Sequence, residues 1–383
     1  MDKVLLIDTN ISSFPIYDFL IKSGHEVFVT GSNPSDFLAK SVANYINIDY
    51  SDVDKMQQLV KRLNIDFIVP GCNDLSYKIA SRLNSKQQFY GIDNVETTEI
   101  INNKQKFRLF AKQANLPVPK IINENEPIDI WPVIIKPADA YSGRGITIIK
   151  KDEKELLHEA IERAKTFSAS GKYLIEQYIE GQLFSHSALI KDRKILIDFI
   201  VEEHCTANPF AVDTSYVVDD FPSEMLSNIR ASICATARYL NLSDGLIHTQ
   251  FIKHNNSFWL IEITRRCPGD LYSLLIETST GFPYASIYAM PFLNRKIDLS
   301  NYSSSHKHII RHTISQKDEH VYISLDFSVP VMIEKFFPLS LAGDKVKASP
   351  FGRIGLLFIS CRSKNELSEI FNKTINRDLY LIK

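Results

Sequence analysis

Strand and helix alternate through the first hundred residues, which limits the leading part of this chain to a parallel sheet covered on both faces. Residues 4–8 form a continuous apolar run of buried-strand type. Phe14–Lys22 has amphipathic spacing, and Gly24 and His25 turn the chain into a second strand over residues 26–30. A strand over residues 45–48, a helix over 52–63 capped by Asp52, the strand Phe67–Pro70 and a helix over 73–83 complete the series. Ligands on such sheets lie beyond the carboxyl ends of the strands. Asp8, Thr9 and Asn10 therefore share one rim with Gly71, Cys72, Asn73 and Asp74. Asn73 suits a helix cap by type, and Asp74 is open to a cap or a substrate contact. A dinucleotide site is disfavoured, because the first strand runs into Thr9–Phe14 without the glycines that let backbone approach a pyrophosphate.

At 383 residues the chain is long enough for two or three domains. With 44% hydrophobic and 23% charged residues it has the composition of a soluble globular protein. A net charge of −1 gives no electrostatic case for nucleic acid or an anionic membrane. The cysteines, 72, 205, 234, 267 and 361, have neither zinc-site nor disulfide-framework spacing, which points to a reducing compartment. No apolar run is of membrane-spanning length, and Met1-Asp2-Lys3 leads straight into a strand with no space for a signal peptide. The expected location is cytoplasmic.

After Asn102 the texture changes to α+β. A basic helix over 103–114 precedes the stiff connector 116–119, whose two prolines favour extended backbone. A short buried strand over 132–137 carries Lys136 near its end, and a polar loop with Gly143 and Gly145 follows. Next come a strand over 146–150, a helix over 152–166, the strand Tyr173–Gln177, paired strands over 184–190 and 194–201, and a long helix over 222–240. Residues 245–264 then read as a hairpin turning at Asn255 and Asn256. Its second strand carries Glu262 and Thr264 and runs into Arg265, Arg266 and the turn at Gly269 and Asp270. A carboxylate within an apolar strand calls for a partner or a metal, because an ionised carboxylate is costly to desolvate. The chain from about residue 306 reads as a small third, mixed unit ending in a helix over 364–374.

The middle region thus offers cations from several directions (Lys104, Lys136, Arg144, Arg266), a glycine loop with backbone N–H groups, a strand end at Glu176–Gly181 and a carboxylate at Glu262. A nucleoside triphosphate with its cation needs such a set. Each member also has a plain explanation: Lys104 as a solvated helix residue, Gly143 and Gly145 as a hairpin turn, and the histidines as half-buried strand residues. Order and spacing together are more specific than any one of them.

Taken as a set, Asn103-Lys104, Ile135–Pro137, Ser142–Gly145, Glu176–Gly181, His248–Phe251 and Glu262–Gly269 resemble the ATP-grasp superfamily over about residues 1–300. The resemblance implies a Rossmann-like parallel-sheet domain at 1–102 and an ATP-grasp domain at 103–300, divided into 103–180 and 181–300. A small C-terminal α+β lobe would occupy 301–383. It implies that Lys104 and Lys136 contact the α- and β-phosphates and that Ser142, Gly143, Arg144 and Gly145 cover them. Glu176 would hold adenine through its amino group, and Gln177 and Ile179 through backbone atoms. Glu262 would bind Mg²⁺ (or Mn²⁺), and Arg266 would hold an acyl phosphate or substrate carboxylate. The sequence departs from the family pattern at three positions. Gln250 stands where a second metal carboxylate is usual, Thr264 where asparagine is usual, and Leu183 where a ribose-binding carboxylate is usual. Gln250 and Thr264 remain oxygen donors to a metal, though weaker ones.

The expected activity is an ATP-dependent ligation in which Lys136, Arg144 and Arg266 act on a carboxylate activated as an acyl phosphate and then joined to an amine. The partners would be small molecules, with a homodimer as the default assembly. The three departures keep open a non-catalytic nucleotide-binding protein, and the wider superfamily keeps open a bicarbonate-using relative.

Overall fold

The structure is a computed structural model that describes residues 1–85, 88–123, 126–140, 143–300 and 302–383. Its first unit contains β1 (Lys3–Ile7), α1 (Phe14–Lys22), β2 (Glu26–Gly31), α2 (Phe37–Ser41), β3 (Tyr45–Asn47), α3 (Val53–Leu63), β4 (Phe67–Pro70) and α4 (Asp74–Leu83). The strands form one parallel sheet in the order β3-β2-β1-β4. Val4, Leu5, Leu6 and Ile7 are fully buried, as a strand covered on both faces requires. Asp52 caps α3 by accepting the Lys55 N–H, and Asn73 caps α4 by accepting the Ser76 N–H.

Two helices, α5 (Val95–Asn102) and α6 (Lys104–Gln113), lead into a three-stranded antiparallel sheet. That sheet is built from β5 (Val133–Pro137), β6 (Thr147–Ile149) and β7 (Tyr173–Gln177), with α7 (Leu157–Thr166) packed against it. The larger body follows: β8 (Gln182–Lys191), β9 (Lys194–His204), β10 (Thr214–Val218), α8 (Ser223–Tyr239), β11 (Gly245–His254), β12 (Ser257–Thr264), α9 (Tyr272–Thr280) and α10 (Tyr284–Ala289). The C-terminal segment adds β13 (His308–Ile314), β14 (His320–Val321), β15 (Leu325–Phe327), β16 (Met332–Pro338), β17 (Lys345–Val346), β18 (Gly355–Cys361), α11 (Lys364–Ile375) and β19 (Tyr380–Ile382).

Sheet order changes the picture of that last segment. Among the described residues the main sheet has eight strands in the order β12-β11-β8-β9-β10-β13-β18-β16. The C-terminal strands therefore extend the central sheet and cover the edge that β10 would otherwise present to solvent. The segment read as a small third unit supplies three strands of the sheet that floors the site, while β14 pairs with β17 and β15 with β19 at its margin. The largest core cluster likewise crosses between units. It joins Leu5, Leu6 and Val69 of the parallel sheet to Leu275 and Ile276 of α9 and to Ile287 and Tyr288 of α10. No helix among the described residues is long and apolar enough to cross a membrane.

Candidate active site

A cleft of about 1000 Å³ lies between the three-stranded sheet and the eight-stranded one, with the rim of the parallel sheet and the C-terminal loops as its end walls. Its floor follows from strand alternation, since residues two apart face the same side. Gln250 stands opposite Glu262, and His248 opposite Thr264, across the β11–β12 ladder. All four line the cleft, together with Leu183 of β8 and Glu203 of β9. A β-bulge between Gln250 and Phe251 shifts the register that the Asn255-Asn256 turn starts by one residue, and so brings the unusual polar residues of both strands to one place.

Glu262 is half-buried and has no hydrogen-bond or ion-pair partner among the described residues. Its carboxylate faces the cleft, so the buried environment expected from its apolar neighbours is replaced by an open wall. Gln250 donates from Nε2 to Oε2 of Glu203 at 2.7 Å, which leaves its Oε1 as an acceptor. Glu203 is buried and has no cationic partner within salt-bridge distance among the described residues. Burial pushes its pKa up, and Glu262 adds to the shift, while Ser185, Gln250 and Arg311 oppose it. The strand pattern carried a signal for Glu203, an acidic residue two positions beyond Val201, but the sequence reading ended that strand at residue 201. β9 continues to His204.

The opposite wall revises the role expected of Glu176. Its side chain is 0% exposed and does not line the cleft. It accepts from Lys136 Nζ at 2.9 Å and from Arg108 of α6, so it is tied to two cations. Burial alone would raise its pKa, but Lys136 and Arg108 outweigh burial and keep the carboxylate ionised. Glu176 therefore positions Lys136, whose ammonium lines the cleft. Arg108 also donates from Nη2 to the carbonyl of Ile261 at 2.8 Å, linking this wall to the strand that carries Glu262. Arg108 is 1% exposed; as one basic residue of an amphipathic helix it gave no sequence signal of burial.

Gln177 and Ile179 both line the cleft. The Gln177 N–H is bonded to the Lys120 carbonyl, whereas the Ile179 N–H has no partner among the described residues. Ile179 thus offers a free backbone donor at the place expected for a base edge. Lys104 also lines the cleft and donates to the Ala140 carbonyl at 2.8 Å, at the foot of the glycine loop. Ser142, expected in that loop, lies outside the described residues. Gly143 and Gly145 have φ of +70° and +71°, and a Cβ on Gly143 would lie 2.5 Å from the carbonyl oxygen of Phe210. Glycine is needed at 143 for both reasons. Arg144 is exposed at the cleft mouth.

The far wall departs most from expectation. Arg266 was to hold a substrate anion, yet it binds Asp74 of α4 through Nε at 3.0 Å and Nη2 at 3.1 Å. Burial works against the Arg266 charge, and the Asp74 carboxylate more than restores it, so its pKa rises above the ordinary value. Thr264, expected as a metal ligand, donates its hydroxyl to the same Asp74 at 3.0 Å. Asp74 is thus neither a cap nor an isolated contact but the anchor of this wall, while Asn73 does the capping. Arg265 turns away from the cleft onto Asp93 at 2.7 Å and the Ser243 carbonyl at 2.5 Å. Arg311 and Arg353, neither singled out in the sequence, line the cleft beside Asp270. Arg311 donates to the Asp270 carbonyl at 3.1 Å, and Arg353 pairs with its carboxylate.

Residues 130–273 match the ATP-grasp domain family. The whole chain superimposes on phosphoribosylglycinamide synthetase from Anaerococcus prevotii with a TM-score of 0.76 at 19% identity, covering 100% of this chain and 99% of that one. L-amino acid ligase from Bacillus licheniformis gives a TM-score of 0.80 at 17% identity, covering 100% and 98%. N5-carboxyaminoimidazole synthetase from Staphylococcus aureus, solved with ADP, gives 0.73 at 13%, covering 98% and 97%. The fold is therefore the ATP-grasp fold, and residues 130–273 are the part of the chain that matches the ATP-grasp domain family.

Proposed function

We propose that the chain is an ATP-dependent ligase that activates a carboxylate as an acyl phosphate and joins it to an amine, releasing ADP and phosphate. The observation that carries this reading is Glu262, a carboxylate without a partner among the described residues in a cleft whose walls present Lys104, Lys136 and Arg266. Such a group fits a hard cation that would sit among phosphates.

The fold implies Mg²⁺, and the donors suit it: Glu262, the Gln250 Oε1 left free by the bond to Glu203, and the Thr264 hydroxyl. No group of three or more His, Cys, Asp or Glu side chains that could hold a metal ion by themselves occurs among the described residues. When bound, the ion would offset phosphate charge. Glu203 would act behind it by fixing which end of the Gln250 amide faces the cleft.

In this reading Lys104 and Lys136 bind the phosphates, with Lys136 held in place by Glu176. A substrate carboxylate oxygen attacks the γ-phosphorus and the bond to the ADP oxygen breaks. Catalysis is then positioning plus charge stabilisation by these fixed cations. An amine nitrogen attacks the acyl carbon and phosphate leaves. The Gly143–Gly145 loop, packed on Phe210, would exclude water that hydrolyses the intermediate.

The test is ATP-dependent hydroxamate formation from candidate acids and hydroxylamine. Activity in the native chain and its loss in Glu262→Ala are expected; full activity in that variant would refute the site. The bidentate Arg266–Asp74 pair favours one rival, a nucleotide-binding protein that does not turn over. It would bind MgATP yet release no ADP with any carboxylate.

A further inference from the structure

In the ligase reading, a nucleotide runs from the free Ile179 N–H at its base to Lys104, Lys136 and Glu262 at its phosphates. The sugar between them would rest on the start of β8, where Leu183 lines the cleft and offers nothing to a hydroxyl. The ladder partners of Leu183 are Ile252 on β11, equally apolar, and Glu203 on β9. Directly paired residues share a face, with Cβ atoms about 4.5–5.5 Å apart. Glu203 therefore stands beside Leu183 on the cleft floor.

Only one end of the Glu203 carboxylate is used. Oε2 accepts from Gln250 Nε2 at 2.7 Å, whereas Oε1 has no hydrogen-bond partner among the described residues, in a residue that is 3% exposed and lines the cleft. Acceptors so buried are nearly always bonded, so Oε1 calls for a donor from the cleft. Nearby carboxylates have less to spare. Asp74 is held by Arg266 and Thr264, and Asp270 by Arg353. Asp213 Oδ2 accepts from the Thr206 N–H at 2.9 Å, the Thr206 hydroxyl at 2.8 Å and the Ala207 N–H at 2.9 Å, and its Oδ1 accepts from Thr214 at 2.9 Å. Glu180, next to Ile179 in sequence, is exposed and does not line the cleft.

Resting on the nucleotide end of the ligase reading, we infer that Glu203 holds the ribose, its Oε1 accepting from the vicinal 2′- and 3′-hydroxyls. A vicinal diol presents two donors side by side, and a carboxylate oxygen has lone pairs for both. The Gln250 amide clamps Oε2 and so fixes where Oε1 points. A sugar lacking both hydroxyls would leave that buried oxygen unpaired, which makes Glu203 a specificity-determining contact for a ribonucleotide.

Calorimetric titration of the whole chain with MgADP and with its 2′,3′-dideoxy analogue reads the contact without turnover. The native chain is expected to bind MgADP about tenfold more tightly. Glu203→Leu should bring the two to equal affinity. Adding Leu183→Glu to that variant moves the carboxylate one strand over and should restore the preference. Equal binding of the two nucleotides by the native chain, or binding of neither, overturns the contact without recourse to a variant. A preference kept in Glu203→Leu also overturns it, even where both nucleotides bind more weakly, as loss of Gln250 orientation alone would produce. Failure of the ligase reading shows separately, as no ADP release with any acid and amine while the preference for MgADP stays.

Discussion

Glu203 is the residue whose role most depends on its surroundings. It is buried, its pKa is raised by that burial, and its Oε2 accepts the Gln250 amide. Groups that orient a ligand in this way typically govern about 10–100-fold in metal affinity. Glu203→Ala is therefore expected to raise the Mg²⁺ concentration giving half-maximal thermal stabilisation in the presence of ADP by about tenfold or more. His248 makes a second residue-scale case. Burial, then Arg266, lowers its pKa from an ordinary 6.5 to about 3, so the folded state holds it neutral. The unfolded chain binds that proton first, so the stability gained from the neutral ring is complete above pH 6.5 and declines as pH falls toward 3. His248→Asn should flatten the fall of the unfolding midpoint over that window. His312 keeps part of the slope in any variant, because its pKa is lowered in the same direction, to about 4.

The helix α4 shows the element scale. Asn73 caps it through the Ser76 N–H, and the next residue, Asp74, holds Arg266 and Thr264. The cap therefore sets the angle at which the anchor of the far wall leaves the parallel sheet. Asn73→Ala is expected to cost about 1 kcal/mol of stability by urea unfolding, and to loosen substrate binding more than nucleotide binding. The extent of a strand mattered as much at β9, which runs to His204 and places Glu203 on the cleft floor.

The whole molecule is held together by buried ion pairs that join distant parts of the chain. Asp74 meets Arg266, and Asp93 meets Arg265 with both side chains 2% exposed. Removing one partner of such a pair strands a charge in the interior. Asp93→Ala is expected to destabilise the chain by about 3–5 kcal/mol in chemical denaturation. A core that runs from β1 and β4 into α9 and α10 makes the first hundred residues part of one packed body with the segment around residue 285.

Much of this architecture was legible in the chain itself. Period and turn chemistry are local properties, so the parallel strand–helix leader, the capping by Asp52 and Asn73 and the hairpin turn at Asn255 and Asn256 all follow from near neighbours in sequence. Pairing between residues far apart is not local, and there the fold had the last word. It bound Glu176 to Arg108 and Lys136, gave Arg266 to Asp74, set Glu203 behind Gln250 and attached the C-terminal strands to the central sheet. A buried charge takes whichever partner the packing brings within reach, and no pattern along the chain records which one that is.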